Sequence, residues 1–123
     1  MDSLTGKEFN EKYKGTNFYK FINDTYTHYD FKYTNGLNID TKPFNATCKN
    51  GLYFTDTINL AIWMYFGYMY KVEIPNDASV CIYNDRFKSD MLIVDLNKKI
   101  LDLVLEEDIV EKAIKKMLML YDM

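Results

Sequence analysis

The amino-acid sequence predicts an α+β fold: a small, mostly antiparallel sheet with one central helix and a C-terminal helix. Short runs rich in aromatic and β-branched residues recur along the chain, which is typical of strands. Two segments, 58–66 and 106–121, instead carry apolar residues at helical spacing. Because the strands are separated by a single helix, their order favours α+β over repeated βαβ units.

The length and composition predict one domain. The chain has 123 residues, of which 48% are hydrophobic and 27% charged, the balance of an ordinary globular protein. We therefore expect a single domain over 1–123 with one hydrophobic core. Residues 1–16 are polar and contain Gly6 and Gly15, so they predict either a short helix around 7–13 or a mobile arm.

The strand predictions depend on side-chain alternation and on apolar runs. Residues 29–33 alternate aromatic with charged side chains, the period of a half-buried strand. Asn35 and Gly36 mark a tight turn after it, and Pro43 excludes continuous strand pairing beyond. The other predicted strands are 18–22, 52–54, 69–74, 79–83 and 91–94.

Each predicted helix has terminal signals. Residues 55–57 offer N-cap oxygens for the central helix, and Gly67 is placed to end it. The C-terminal helix, 106–121, begins with three acidic residues and carries two lysines towards its end, which matches the helix dipole. Its apolar stripe is wide.

The C-terminal stripe is the best interaction signal in the sequence. Packing against the sheet is the simplest role for it, but a wide stripe at a chain end also suits a dimer surface. Methionine adds an adaptable apolar contact. We therefore expect a protein partner, including a second copy in a homodimer. The candidate surface consists of Met117, Leu118, Tyr121 and Trp63.

Composition argues against several other classes. The net charge is −3 and Arg86 is the only arginine, which disfavours nucleic acid as a partner. The longest apolar stretch, 60–70, is shorter than the roughly 20 residues of a membrane helix, so we expect no membrane partner. One histidine and two distant cysteines provide no metal site, and no glycine-rich loop indicates a cofactor. We expect reduced thiols and a cytoplasmic location.

Candidate catalytic groups are sparse. His28 is the one side chain that titrates near neutral pH without perturbation, and a surface or hydrogen-bonded role explains it better than a general base. Glu73, Asp85, Asp90 and Asp95 are spread along the chain, and solvated loop ends explain them better than a shared acid site. The sequence therefore favours a non-enzymatic interaction module.

One ordered set of short motifs carries a family resemblance. These motifs are Phe18-Tyr19-Lys20-Phe21, Tyr33, Asn35-Gly36-Leu37-Asn38, Pro43-Phe44, Gly51-Leu52-Tyr53-Phe54-Thr55-Asp56, Val72-Glu73-Ile74-Pro75-Asn76-Asp77-Ala78 and Lys88-Ser89-Asp90. Together they resemble an uncharacterised domain of giant DNA viruses of the Mimivirus type, often found ahead of ankyrin repeats. The resemblance spans about 18–94. It implies a viral protein in the cytoplasm of an infected host cell, with no known activity or functional residues.

A second resemblance supplies the alternative function. The segment 51–54, followed by the predicted central helix, is similar to the middle motif of the ADP-ribosyltransferase fold. This similarity implies a small NAD-binding enzyme with Tyr53 and a carboxylate, Glu73 or Asp90, in its site. The strand motif that carries a histidine in that fold has Tyr19 and Lys20 here, and a fold likeness does not transfer chemistry.

Overall fold

The computed structural model describes residues 2–28, 31–47, 50–56, 59, 68–97 and 118. Within those ranges, the one helix that is longer than a single residue is α1 (Gly6–Lys12). The strands are β1 (Asp2–Thr5), β2 (Phe18–Ile22), β3 (Thr27–His28), β4 (Phe31–Lys32), β5 (Gly36–Ile39), β6 (Leu52–Asp56), β7 (Tyr68–Glu73), β8 (Ser79–Ile82), β9 (Phe87–Ser89) and β10 (Met91–Val94).

Eight of these strands form one sheet. Their order is β1-β8-β9-β6-β2-β7-β10-β5, so β1 and β5 are its edges among the described residues. All of its strand pairs are antiparallel. β3 and β4 pair separately as a small ribbon. This sheet positions the candidate functional residues.

The α+β prediction is wrong. The described residues form a mostly antiparallel β-sheet with a single short helix, not a fold balanced between a sheet, a central helix and a C-terminal helix. The sequence underestimates the strands because β1, β5 and β9 are polar or short, and their pairing comes from distant segments rather than local propensity. The segment 58–66, apart from Asn59, and the segment 106–121, apart from Leu118, lie outside the described residues.

The strands predicted at 18–22, 52–54, 69–74, 79–83 and 91–94 are confirmed as β2, β6, β7, β8 and β10. Aromatic and branched side chains give these segments a buried face, which is what their pattern indicates. In 29–33 only Phe31 and Lys32 form a strand, a two-residue one, and residues 29 and 30 lie outside the described residues.

The N-terminal segment packs on the sheet. Its helix α1 begins with a capping box in which Thr5 and Glu8 exchange side-chain and backbone hydrogen bonds. Phe9 on this helix is fully buried, and its ring centroid lies 5.0 Å from that of Phe18 and 5.6 Å from that of Phe87. This aromatic cluster anchors residues 2–16 to the inner face of the sheet.

Candidate functional site

The outer face of the sheet carries apolar side chains at one edge. In the ladder between β10 and β5, Met91 lies opposite Ile39 and Ile93 lies opposite Leu37. Leu37, Ile39 and Ile93 are 52%, 48% and 37% exposed and Met91 is half-buried against the core, whereas Leu92 and Val94, which alternate with Met91 and Ile93 along β10, are buried on the inner face. We call Leu37, Ile39, Met91 and Ile93 the β5 patch. An exposed group of large apolar side chains is a common mark of an interaction surface.

The backbone of the same edge has unused hydrogen-bonding groups. The N–H of Asp40 donates to the carbonyl of Asp90 at 2.9 Å, across the side of β5 that faces β10. Because N–H and C=O directions alternate along a strand, Gly36 and Asn38 also face β10, whereas Leu37 and Ile39 face away from it. Within the described residues, nothing pairs with that outer edge.

A second cluster surrounds a buried lysine. Lys20 is 3% exposed, and its ammonium donates to the carbonyl oxygen of Tyr53 and lies 3.1 Å from Nδ1 of His28. The β2–β6 ladder holds Tyr19 opposite Thr55 and goes no further, so the ammonium occupies the place where the two strands separate. The ring of Tyr33 lies below it, with its centroid 4.9 Å from Nζ.

Burial perturbs the titration of this cluster. Removal from water lowers the pKa of Lys20 to about 7, because the charged ammonium loses hydration. The pKa of His28 is lowered to about 4 by burial and, second, by the positive charge of Lys20. Burial and the charge of Asp40 raise the pKa of Tyr33. At neutral pH the imidazole is therefore neutral and can accept a hydrogen bond from the ammonium.

A second buried lysine lies on the other side of Tyr53. Lys88 on β9 pairs with Tyr53 on β6 and is 0% exposed. Its ammonium donates to the carbonyl of Asn45 at 2.6 Å and lies 5.1 Å from the ring centroid of Phe44. Arg86 lies over the ring of Tyr53 at 5.4 Å. Tyr53 is thus bordered by cationic side chains: Lys20 through its carbonyl, and Lys88 and Arg86 through its ring.

Gly51 makes room for Lys88. Its φ is +112°, which L side chains rarely adopt, and an added Cβ would lie 2.5 Å from Cγ of Lys88. Its N–H donates to Oδ2 of Asp40 at 2.8 Å, which fixes the loop before β6. The glycine that opens the 51–54 motif therefore serves the packing of a buried lysine.

The candidate catalytic residues have different surroundings. Tyr53 is half-buried among the cations described above. Glu73 is exposed on β7 opposite Ile93, and Asp90 accepts a hydrogen bond from the N–H of Ser79 at 2.8 Å. No described contact joins the three, and the ammonium of Lys20 lies against the carbonyl of Tyr53 where β6 and β2 separate.

Of the predicted interaction surface, the structure describes one residue. Leu118 is helical and 51% exposed, while Met117, Tyr121 and Trp63 lie outside the described residues. His28, for which the sequence favours a surface or hydrogen-bonded role, is half-buried, and its Nδ1 lies within hydrogen-bonding distance of Lys20. Among the residues that the structure describes, no group of His, Cys, Asp and Glu side chains is arranged to hold a metal ion.

Sequence patterns predict neither buried lysine nor the β5 patch. Lysine within a strand ordinarily indicates a solvent-facing position, and residues 84–90 have the composition of a charged connection. Leu37 and Ile39 follow a turn signal and are too few to establish a strand period. The available signal was the apolar residues on both sides of Lys20 and the isolated Gly51.

Within the described ranges, the fold is an antiparallel β-sheet with an unpaired outer edge at β5 and an exposed apolar patch beside that edge. Over 76 residues the chain is 37% identical to a putative ankyrin repeat protein of Acanthamoeba polyphaga mimivirus. The match covers 54% of this chain and 23% of the mimivirus protein, so the chain spans less than a quarter of that relative's length. This similarity supports a giant-virus origin. No protein-family model and no solved structure matches the chain.

None of the helical segments within the described ranges is long and apolar enough to cross a membrane.

Proposed function

We propose that this chain is a protein-interaction module of a giant virus and that it acts in the cytoplasm of the infected host cell. The observation that carries the proposal is the β5 patch, where three large apolar side chains remain exposed beside a strand edge that no described residue pairs with. Exposing an apolar side chain to water is unfavourable, and a partner that covers the patch removes this unfavourable contribution to the free energy. The similarity to a viral ankyrin repeat protein agrees with this role.

The binding mode that fits is strand addition. A peptide strand paired with the outer edge of β5 would use the N–H and C=O groups of Leu37 and Ile39, and side chains would extend the apolar row on the outer face. β5 contains no lysine and no proline, the residues by which proteins commonly block an exposed edge. The opposite edge, β1, is different because its exposed side chains, Ser3 and Thr5, are polar, and the hydroxyl of Thr5 caps α1.

The test is the capture of partners from infected host cells with a matched pair of variants. The full chain is immobilised as wild type, as Ile39→Lys and as Ser3→Lys, which places the same charge on the other edge. Each retained protein is then purified, and its affinity for the three forms is measured by calorimetry. The proposal is supported if a defined partner binds Ile39→Lys about tenfold or more weakly than wild type and binds Ser3→Lys with unchanged affinity. Partners that bind all three forms equally would refute it.

A further inference from the structure

We infer that the partner of the β5 patch is a second copy of this chain, joined to the first by antiparallel pairing of β5 with β5 about a two-fold axis. This inference rests on the proposed function, because it uses the same surface. It goes further by naming the occupant and the register. The pairing would join two eight-stranded sheets into one continuous sheet.

The hydrogen-bonding groups of the edge define the register. In an antiparallel pair, residues that exchange both hydrogen bonds must each direct their N–H and C=O towards the partner strand. On β5 those residues are Leu37 and Ile39. Pairing Leu37 with Ile39 of the second copy, and Ile39 with Leu37, satisfies these groups in both copies at once. The two-fold axis then passes beside Asn38, whose side chain is buried on the inner face.

The side chains complement themselves in this register. Leu37 would lie directly opposite Ile39 of the second copy on the outer face, where cross-strand apolar pairs stabilise a sheet. Ile93 and Met91 flank them through the existing β10–β5 ladder. Each row would thus read Ile93, Leu37, then Ile39 and Met91 of the second copy. The same four side chains that form the patch on one copy cover the patch on the other.

The charges of the strand permit this self-pairing. β5 consists of Gly36, Leu37, Asn38 and Ile39 and has no charged side chain, so two copies bring no like charges together along the strand. Strand edges that avoid self-association usually place a charge inside such a row. The edge of β5 is short, and the contact is therefore smaller than a standard interface. We expect a dissociation constant on the order of 10–100 µM.

The first experiment measures mass and amide exchange on the wild-type chain across concentration. Sedimentation should give the mass of a monomer at about 1 µM and the mass of a dimer at about 300 µM. Hydrogen exchange should slow with concentration at the amides of Leu37 and Ile39, while those of the β1 edge stay unchanged. A monomer at every concentration overturns the inference, and so does a dimer whose Leu37 and Ile39 amides exchange as fast as in the monomer.

A proline variant separates strand pairing from simple apolar contact. Because the N–H of Ile39 points away from β10, Ile39→Pro removes a hydrogen bond to the second copy and none within the chain. We expect it to weaken dimerisation about tenfold or more, while Ile39→Val dimerises like wild type. Loss of dimer in both variants, or in neither, contradicts the pairing. If Ile39→Pro fails to fold, the exchange data on the wild type still decide.

The outcome also separates this inference from the proposed function. A strictly monomeric chain that still loses a host or viral partner with Ile39→Lys overturns the self-pairing and leaves the proposed function standing. A chain that neither dimerises nor binds any protein through the patch overturns both.

Discussion

The ammonium of Lys20 lies 3.1 Å from Nδ1 of His28, and both groups are enclosed where β2 and β6 separate. The contact joins two basic side chains, so it is favourable only while the imidazole is neutral. Burial enforces that state because it lowers the pKa of His28 to about 4, and it also lowers the pKa of Lys20, to about 7. The pair therefore links the stability of the sheet to pH.

Above neutral pH, Lys20 should make stability increase. Its pKa is about 7 in the folded chain and near 10.5 when unfolded, so between these values the unfolded chain holds the extra proton. The free energy of unfolding should rise through this window, by up to about 1.4 kcal/mol per pH unit. Urea denaturation from pH 7 to 10 should show the rise in wild type and in the exposed-lysine control Lys71→Met. Lys20→Met should lose it, and an unchanged slope in that variant would contradict the assignment.

Below neutral pH, His28 should make the fold sensitive to acid. Its folded pKa of about 4 lies below the unfolded value of 6.5, so stability is lost as the pH falls between them. His28→Gln keeps an acceptor for the ammonium and removes the titration. Because part of the imidazole stays in contact with water, which screens the effect, we expect this variant to lose about 1 kcal/mol less stability than wild type between pH 6.5 and 4.5. If the melting temperatures of wild type and His28→Gln fall equally over this range, His28 is not the source of the acid sensitivity.

Gly51 should tolerate a side chain less well than another glycine with positive φ. Gly15 has a φ of +84° and nothing within 4 Å of an added Cβ, so Gly15→Ala measures backbone strain alone, about 1 kcal/mol. At Gly51 the added methyl group also meets the buried Lys88, and we expect a loss of about 2–4 kcal/mol. Chemical denaturation of both variants gives the comparison. Equal losses would mean that Lys88 moves aside at little cost.

Phe9 should hold the N-terminal segment on the domain. The side chain is fully buried against Phe18, Phe54 and Phe87, so Phe9→Ala should destabilise the protein by about 3–5 kcal/mol. Lys7→Ala on the exposed side of the same helix should change stability little. A loss below about 1 kcal/mol for Phe9→Ala, measured by calorimetric unfolding, would mean that residues 2–16 detach freely.

The sequence predicts those strands whose side chains carry their own pattern. In β2 the residues around Lys20 are aromatic or branched, and β10 is a continuous apolar run, so both follow from composition. The strand β9, in which Lys88 and Ser89 are buried, does not follow from composition, because its burial is created by Gly51 and by the neighbouring strands β6 and β8. Long-range pairing decides such segments, and local propensity does not contain that information.

The site shows the same division. The motif 51–54 marks Tyr53 from sequence, but the cations around it come from β2, from β9 and from Arg86 just before β9, all far away in the chain. The β5 patch cannot be predicted from the sequence either, because the exposure of Leu37 depends on β5 being an edge strand among the described residues. An apolar residue in water becomes a signal only once the topology is known.

Cross-linking by cysteine tests the register of the proposed dimer most directly. With Cys48 and Cys81 replaced by serine, one chain carries Leu37→Cys and a second carries Ile39→Cys. Residues that exchange both backbone hydrogen bonds across an antiparallel pair have Cα atoms about 5.5 Å apart, within the range that a disulfide spans. The proposed pairing predicts a rapid disulfide in the equimolar mixture and slow or no cross-linking of either variant alone. Equal cross-linking in all three samples, or none in the mixture at a concentration of about 300 µM where the dimer should form, would contradict it.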